Sequence, residues 1–459
     1  LDSLCPMNGF LAIPLLRFLP LHVVYNLLIT FAFAGAGLTT FWLALEMTAA
    51  YWPSLAAGYA FTFSAFHFAH APGHMHQFTI EFLPLFFLFW LRLIRRPTIW
   101  KAVLAALALF CVLLCDDYQF LFCAIAICLS MIWLFAHDRK AIDPRRLGIA
   151  FSVFILCAAL SCGPLVIAKW LATHRGTYAS MHFSAQNNVD LFNLFVPGFT
   201  WCFHRYTAAV WEPQGSYAET SISIGVAVFI AAIWGWIVRK RIEFETASLW
   251  LLLAVCFGAL SLGITLRVMH VRVTDWMPYR LLENSIPALK FAAVPSRMEL
   301  ITQLACSILA AGGLKAIGNL RNSIRVPLLI CFILAMVLES EPRLQATYPL
   351  RQVKWAEFLR DDPHPGAIVD LIARGGSEGL FFQTIHHRPT ALGYVSRTPM
   401  RENNAGYLIL WQAEHGQFDP LEKMGFKFIV TPTNENLDLP IAYEDAKSRV
   451  YLLENFSAP

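Results

Sequence analysis

The stretch that decides the fold spans residues 99–137 and reads IWKAVLAALALFCVLLCDDYQFLFCAIAICLSMIWLFAH. Beyond Lys101 near its start, two almost purely apolar runs flank a single acidic pair, Asp116-Asp117. A helix that crosses a membrane needs about 20 predominantly apolar residues. Both runs approach that length, so the stretch predicts two transmembrane helices joined by a short polar turn.

The composition of the whole chain has the same character. Of its 459 residues, 57% are hydrophobic and 14% are charged, and the mean hydropathy is +0.53. Soluble globular proteins contain about 45–50% apolar and about 25% charged residues. These values exclude a soluble enzyme, a disordered chain and a coiled coil, and the formal net charge of +4 gives no indication of a nucleic-acid partner. The sequence therefore predicts a polytopic protein whose partner is the lipid bilayer.

About ten segments are apolar and long enough to be candidate spans. They are 21–45, 51–66, 78–94, 100–115, 118–136, 147–168, 221–238, 246–266, 298–314 and 326–340. With these spans, four Lys- and Arg-rich loops, within 92–101, 139–146, 239–241 and 315–325, all fall on one side. Short basic loops mark the cytoplasmic side. The prediction is an integral protein of a bacterial inner (plasma) membrane.

The same topology places Leu1 on the outer face, and we expect one further helix upstream of it. The outer segments are then 1–20, 67–77, 116–117, 169–220, 267–297 and the tail from 341. In the tail, short β-type runs alternate with helical patterns, which indicates a small α/β domain. The predicted strands are 367–372, 426–431 and 450–453, and the predicted helices are 353–360 and 403–412. The predicted fold is thus mainly α, with a transmembrane helical domain at 1–342 and an extracytoplasmic α/β domain at 343–459.

A histidine-rich segment, FHFAHAPGHMHQ, occupies residues 66–77 and is followed by Glu81. Imidazole and carboxylate groups together suit a divalent metal. We predict His74, His76 and Glu81 as ligands of a divalent ion such as Mg²⁺ or Mn²⁺, and His74, His76 and Gln77 as substrate contacts. The alternative is that these side chains anchor helix ends at the membrane interface.

The acidic pair Asp116-Asp117 is the second candidate. Adjacent carboxylates at a membrane surface can bind a divalent ion, or one of them can have a raised pKa suited to a general base. The alternative is that a short turn between two spans requires polar residues in any case.

Arginines in the segment 267–297 form the third candidate. Positive charge is normally depleted on the outer side, so Arg272, Arg280 and Arg297 suggest an anionic ligand such as a lipid phosphate. Apolar residues between them make part of this segment amphipathic and suited to the interface. The alternative is that these cations reach toward lipid headgroups.

Several short motifs resemble those of polyprenyl-phosphate-dependent GT-C glycosyltransferases, most nearly the YfhO-like group of bacterial membrane proteins. In the membrane domain they are Gly73-His74 with Gln77, Phe82–Leu85, the end of the loop at 219–225, and the sequence IPALKFAAVPSR at 286–297. In the tail they are QTIH at 383–386, GYVSRTP at 393–399 and GFKFIV at 425–430.

The resemblance implies transfer of a sugar from a polyprenyl-phosphate-linked donor to an acceptor on the outer face. In GT-C enzymes the catalytic acid lies in the first outer loop, where this sequence has Asp2. The candidate catalytic residues are therefore Asp2, Asp116 and Asp117. The alternative function is a non-enzymatic transporter or assembly protein of the cell envelope that handles lipid or polymer.

Overall fold

A computed structural model describes residues 5–137, 143–175, 184, 187–211, 216–286, 289, 293–343, 353–393 and 399–453. The chain divides into two compact units. Residues 3–168 and 182–345 fall in the first, and 346–459, with 1–2 and 169–181, fall in the second. Asp2, a candidate catalytic residue, lies outside the described residues.

The first unit is built mainly of helices. In chain order they are α1 (Pro6–Leu15), α2 (Leu21–Thr48), α3 (Tyr51–Thr62), α4 (Ala65–His70), α5 (Met75–Phe78), α6 (Phe82–Arg95), α7 (Ile99–Cys115), α8 (Asp117–His137), α9 (Pro144–Arg175), α10 (Tyr217–Thr220), α11 (Val226–Val238), α12 (Ala247–Ser261), α13 (Pro278–Ser285), α14 (Glu299–Gly318) and α15 (Asn322–Ser340). A small antiparallel hairpin, β1 (Leu266–Val268) and β2 (Val271–Thr274), precedes α13.

Six helical segments among the described residues are long and apolar enough to cross a membrane. They are Leu21–Thr48, Met75–Arg95, Asp117–His137, Pro144–Ala172, Pro295–Gly318 and Asn322–Ser340. Three shorter apolar helices, α7, α11 and α12, correspond to further predicted spans. The predicted span 51–66 is instead divided between α3 and α4, because the helix stops at Thr62 and a new one begins after Ser64. The prediction of a polytopic helical membrane protein is confirmed.

Polar contacts join the loops that were predicted to be cytoplasmic. Arg92 Nη2 donates to Glu46 Oε2 at 2.7 Å, and Arg95 Nη2 donates to Glu245 Oε2 at 2.8 Å. Lys315 Nζ donates to the carbonyl oxygen of Ile242 at 3.0 Å. These basic loops therefore meet at one end of the bundle, as the charge pattern requires, while the side of the membrane they occupy stays a prediction.

Helix α14 is the centre of the bundle, and it is buried from Glu299 to Leu314. It approaches α11 closely because both helices have glycine at the contact. A β-carbon on Gly235 would collide with the carbonyl oxygen of Leu309, and one on Gly313 would collide with that of Ala231. Small residues allow two helix backbones to approach in this way inside a membrane.

We expect Gly313→Ala to destabilise the protein although alanine is the better helix former. Overpacking of a tight contact typically costs about 1–3 kcal/mol, which exceeds the gain of roughly 1 kcal/mol in helix propensity. The measurement is the free energy of unfolding in detergent. Gly318→Ala is the matched control on α14, because a β-carbon there meets nothing within 4 Å. Equal stability of the two variants would contradict the close contact.

The second unit contains a four-stranded sheet in the order β3-β4-β6-β5, where β3 is Ala367–Asp370, β4 is Phe426–Pro432, β5 is Ile441–Glu444 and β6 is Ser448–Leu452. Strand β3 is parallel to β4, and the other pairs are antiparallel. Its helices are α16 (Lys354–Asp361), α17 (Ser377–His386), α18 (Met400–Glu414) and α19 (Phe418–Lys423).

The alternation of side chains along β4 builds two small cores in this unit. Phe428 and Val430 pack in a core with Trp355 of α16. Ile429, on the opposite face, packs with Leu410 of α18. Successive strand residues point to opposite faces, so a strand buried on both sides needs apolar residues at consecutive positions. The predicted α/β character of the tail is confirmed.

Candidate functional site

Residues from four segments that were predicted to lie on the outer face meet in one buried polar cluster of the helical unit. His70 ends α4 and His74 precedes α5, while Asp116 separates α7 from α8. Glu219 lies in the short helix α10, and Arg297 lies in the turn before α14. This cluster is the candidate functional site.

The centre of the site is an ion pair between Glu219 and Arg297. Arg297 Nε donates to both carboxylate oxygens, at 3.1 and 3.0 Å, and Nη2 donates to Oε1. Both residues are buried, with exposed fractions of 3% and 4%. Burial alone would raise the pKa of Glu219, but the guanidinium of Arg297 holds that pKa well below its usual range. The carboxylate is therefore ionised.

His70 presents one ring nitrogen to this carboxylate. Its Nδ1 lies 2.8 Å from the carbonyl oxygen of Phe66, which can only accept, so Nδ1 carries the proton. Nε2 lies 3.7 Å from Glu219 Oε2, too far for a good hydrogen bond. In the neutral ring, Nε2 then has its lone pair directed into the site, as in many metal-binding histidines.

The donor set of the site fits a divalent metal. One ligand atom each from His70, His74 and Glu219 lies within 4.8 Å of the other two. Two imidazoles and one carboxylate suit Mn²⁺ or Zn²⁺ better than Mg²⁺, which prefers oxygen ligands. The residues present therefore fit a transition metal, although Glu219 is shared with Arg297.

Asp116 provides a second carboxylate on the other side of Arg297. Its Oδ2 accepts from Gln77 Nε2 at 2.9 Å, and its Oδ1 accepts from the backbone N–H of Gln119 at 3.0 Å, which caps α8. Burial raises the pKa of Asp116 to about 7, although the positive charge of Arg297 opposes the shift. The ring of Tyr118 lies 4.5 Å from the guanidinium carbon of Arg297 and packs against it.

The site thus contains several of the sequence-predicted residues. Asp116, Gln77 and Arg297 are buried in it, and His74 borders it through ring contacts with His70 at 5.3 Å and with His76 at 6.2 Å. Asp117, the first residue of α8, is only partly buried.

His67 and Glu81 belong to the same region, but they contact groups other than those of the candidate site. Both ring nitrogens of His67 lie 2.7 Å from carbonyl oxygens, those of Thr62 and Phe78, and burial lowers its pKa to about 4. His67 therefore holds the loop between α3 and α5. Glu81, a predicted metal ligand, is buried beside Gly35 of α2, and its carboxylate has no hydrogen-bond partner among the described residues. The group that the structure assembles is His70, His74 and Glu219 rather than His74, His76 and Glu81.

The other two predicted arginines lie on the surface of the helical unit. Arg272 Nε donates to Asp275 Oδ1 at 2.9 Å, and Arg280 Nη1 donates to the carbonyl oxygen of Asp275 at 3.3 Å. Both side chains are exposed. The structure therefore does not bring them together with Arg297.

His70 and Glu219 are the site residues that the sequence did not single out as binding or catalytic. Glu219 pairs with a residue 78 positions later in the chain, so no local spacing indicates the contact. The sequence did contain one signal for Glu219. It is an acidic residue in an apolar protein, and it begins the motif at 219–225 that resembles GT-C glycosyltransferases.

The helical unit belongs to a polytopic membrane protein. The buried polar cluster at one end of its bundle contains the ionisable groups of a binding or catalytic site. No protein-family model and no curated protein matches the sequence.

The structure is similar to the cryo-EM structure of the arabinofuranosyltransferase AftD from mycobacteria, with a TM-score of 0.58 and 15% sequence identity. The match covers 95% of this chain and 31% of that chain, so the chain spans about a third of the length of the enzyme. At this identity the likeness shows a shared fold alone. The assignment to GT-C glycosyltransferases and the grouping with YfhO-like proteins stay predictions.

Proposed function

We propose that this protein is a GT-C-type glycosyltransferase that transfers a sugar from a polyprenyl-phosphate-linked donor to an acceptor on the outer face of a bacterial plasma membrane. The observation that carries the proposal is the buried cluster of Asp116, Glu219, Arg297 and His70 in a protein with this fold. Ionisable groups are costly at membrane depth and therefore mark functional sites there.

In this proposal Asp116 is the general base. Its carboxylate takes the proton from the acceptor hydroxyl, whose oxygen attacks the anomeric carbon of the donor. The bond from that carbon to the phosphate oxygen breaks with inversion, and the lipid phosphate leaves with the bonding electrons. A pKa of about 7 suits this role, because an effective base has a pKa near the working pH.

Arg297 and the histidines then face the leaving phosphate. Two nitrogens of Arg297, Nε and Nη2, are used by Glu219, and we propose that Nη1 contacts the phosphate. A divalent metal held by His70, His74 and Glu219 would supply Lewis-acid stabilisation of the phosphate charge. His76 and Gln77 lie beside these groups and would contact the donor.

The test is incubation of the protein with a panel of polyprenyl-phosphate sugars and candidate acceptors, with release of the lipid phosphate as the readout. Each reaction is run after chelation and again after addition of Mn²⁺, Zn²⁺ or Mg²⁺. We expect release with at least one donor, and release slower by about a hundredfold or more from Asp116→Asn. Absence of both release and donor binding across the panel would favour a non-enzymatic role.

We expect the α/β unit to lie on the outer face. A cysteine placed at the exposed position Ser377 should react in intact cells with a thiol reagent that cannot cross membranes. The matched control is Asn319→Cys at the end of α14, next to a basic loop, which should react only after permeabilisation. The opposite labelling pattern would invert the topology and the assignment of the outer site.

A further inference from the structure

Two pockets adjoin each other at the end of the bundle opposite the candidate site. The first, of about 420 Å³, is lined by apolar side chains of α2 and α6, including Trp42, Leu85 and Phe89. The second, of about 460 Å³, is lined by Arg92, Arg95, Arg96 and Lys101. Glu46 and Arg92 line both pockets, so an apolar groove leads directly into a basic one.

The basic pocket has more positive charge than its own carboxylates neutralise. Arg92 pairs with Glu46, and Arg95 pairs with Glu245, at the distances given above. Lys101 Nζ donates to the carbonyl oxygen of Arg96 at 2.9 Å. Within the described residues, neither Arg96 nor Lys101 makes an ion pair, so two cations remain to receive an anion.

The apolar groove identifies the kind of anion. The side chain of Trp42 is 45% exposed, and Ile99 and Trp100, which precede Lys101, are 60% and 69% exposed. Exposed aromatic and aliphatic side chains beside cations are typical of the depth where acyl chains meet headgroups. A free phosphate would use only the basic pocket and would leave the groove unexplained.

We propose that the two pockets together bind one anionic phospholipid, with its phosphate at Arg96 and Lys101 and an acyl chain along Trp42, Leu85 and Phe89. Basic pockets between transmembrane helices on the cytoplasmic side bind anionic headgroups of this kind. The inference is independent of the proposed transferase activity, since it concerns the opposite end of the bundle.

The experiment is native mass spectrometry of the complete chain in neutral detergent, titrated with phosphatidylglycerol or with phosphatidylcholine. We expect phosphatidylglycerol to bind at least tenfold more tightly than phosphatidylcholine. The double variant Arg96→Gln/Lys101→Gln should reduce this preference to less than twofold. The side chains of Arg96 and Lys101 lie at the surface. An unfolding transition measured without lipid verifies that the double variant is folded.

The matched control is Arg145→Gln/Arg146→Gln, which removes the same charge from another exposed basic loop and should retain the preference. Equal loss in both double variants would indicate diffuse attraction and overturn the proposal. Glycerophosphoglycerol, the headgroup without acyl chains, is added as a competitor at the lipid concentration. Displacement of the lipid by this competitor would assign the site to a free phosphate and equally overturn the proposal.

Discussion

Glu219→Gln should destabilise the protein by about 3–5 kcal/mol, the usual effect of removing one partner from a buried ion pair. The guanidinium of Arg297 would remain at a site where only 4% of the residue is exposed, with no carboxylate directly against it. Arg297→Gln should have a comparable effect, since it leaves the ionised Glu219 unpaired. The measurement is the free energy of unfolding of both variants in detergent.

The double variant Glu219→Leu/Arg297→Met separates stability from function. Replacing both members of a buried pair with apolar residues of similar size is often neutral or stabilising, so this protein should regain most of the lost stability. It should have no transferase activity, because the positive charge of Arg297 that is proposed to face the leaving phosphate is absent. If the stability losses of the single variants Glu219→Leu and Arg297→Met simply add in the double variant, the residues are not coupled and the site is wrongly assembled.

This ion pair also shows where the sequence reaches its limit. Hydropathy is enough to predict α8, because its apolar residues between Asp117 and His137 have a length that only a membrane requires. Hydropathy does not indicate which residue pairs with Arg297. The identity of that partner depends on how α10 packs against the turn that precedes α14, and neither the spacing of 78 residues nor the composition of the loop contains that packing.

The histidine segment shows an intermediate case. Its residue types suggested a polar site, and the structure places Gln77 in the buried polar cluster and His74 at its border. The short turns around α4 and α5 determine which group each histidine ring contacts. His67 therefore contacts the carbonyl oxygen of Phe78, and His70 lies next to Glu219. Glu81, only a few residues later, directly precedes α6 and packs beside Gly35 of α2 instead.

In the α/β unit, burial explains which strands the sequence predicts. Strand β4 is apolar at consecutive positions because it is covered on both faces. Strand β5 was not predicted, and its pattern is mostly exposed, with Ile441 half in solvent at the edge of the sheet. An edge strand is stabilised largely by backbone hydrogen bonds to its neighbour, and these leave little trace in side-chain hydropathy.

Asp116→Asn should lower the rate of sugar transfer by about 10²–10⁴-fold, the usual contribution of a general base. The wild-type rate should rise with pH through about 7, where Asp116 loses its proton, and the variant should lack this rise. Asp117→Asn, at the adjacent and more exposed position, should retain the pH dependence. The measurement is the transfer rate of the three proteins between pH 5 and 9.

Stability gives an independent readout of the same carboxyl group. Because burial raises the pKa of Asp116 from 3.8 to about 7, the folded protein binds a proton more tightly than the unfolded chain does. This contribution is fully present below about pH 3.8, and it is lost as the pH rises through about 7. The Asn variant should therefore unfold with a flatter dependence on pH between 4 and 7. An unchanged slope in that variant, together with an unchanged pH profile of activity, would remove Asp116 from the mechanism and leave it as the cap of α8.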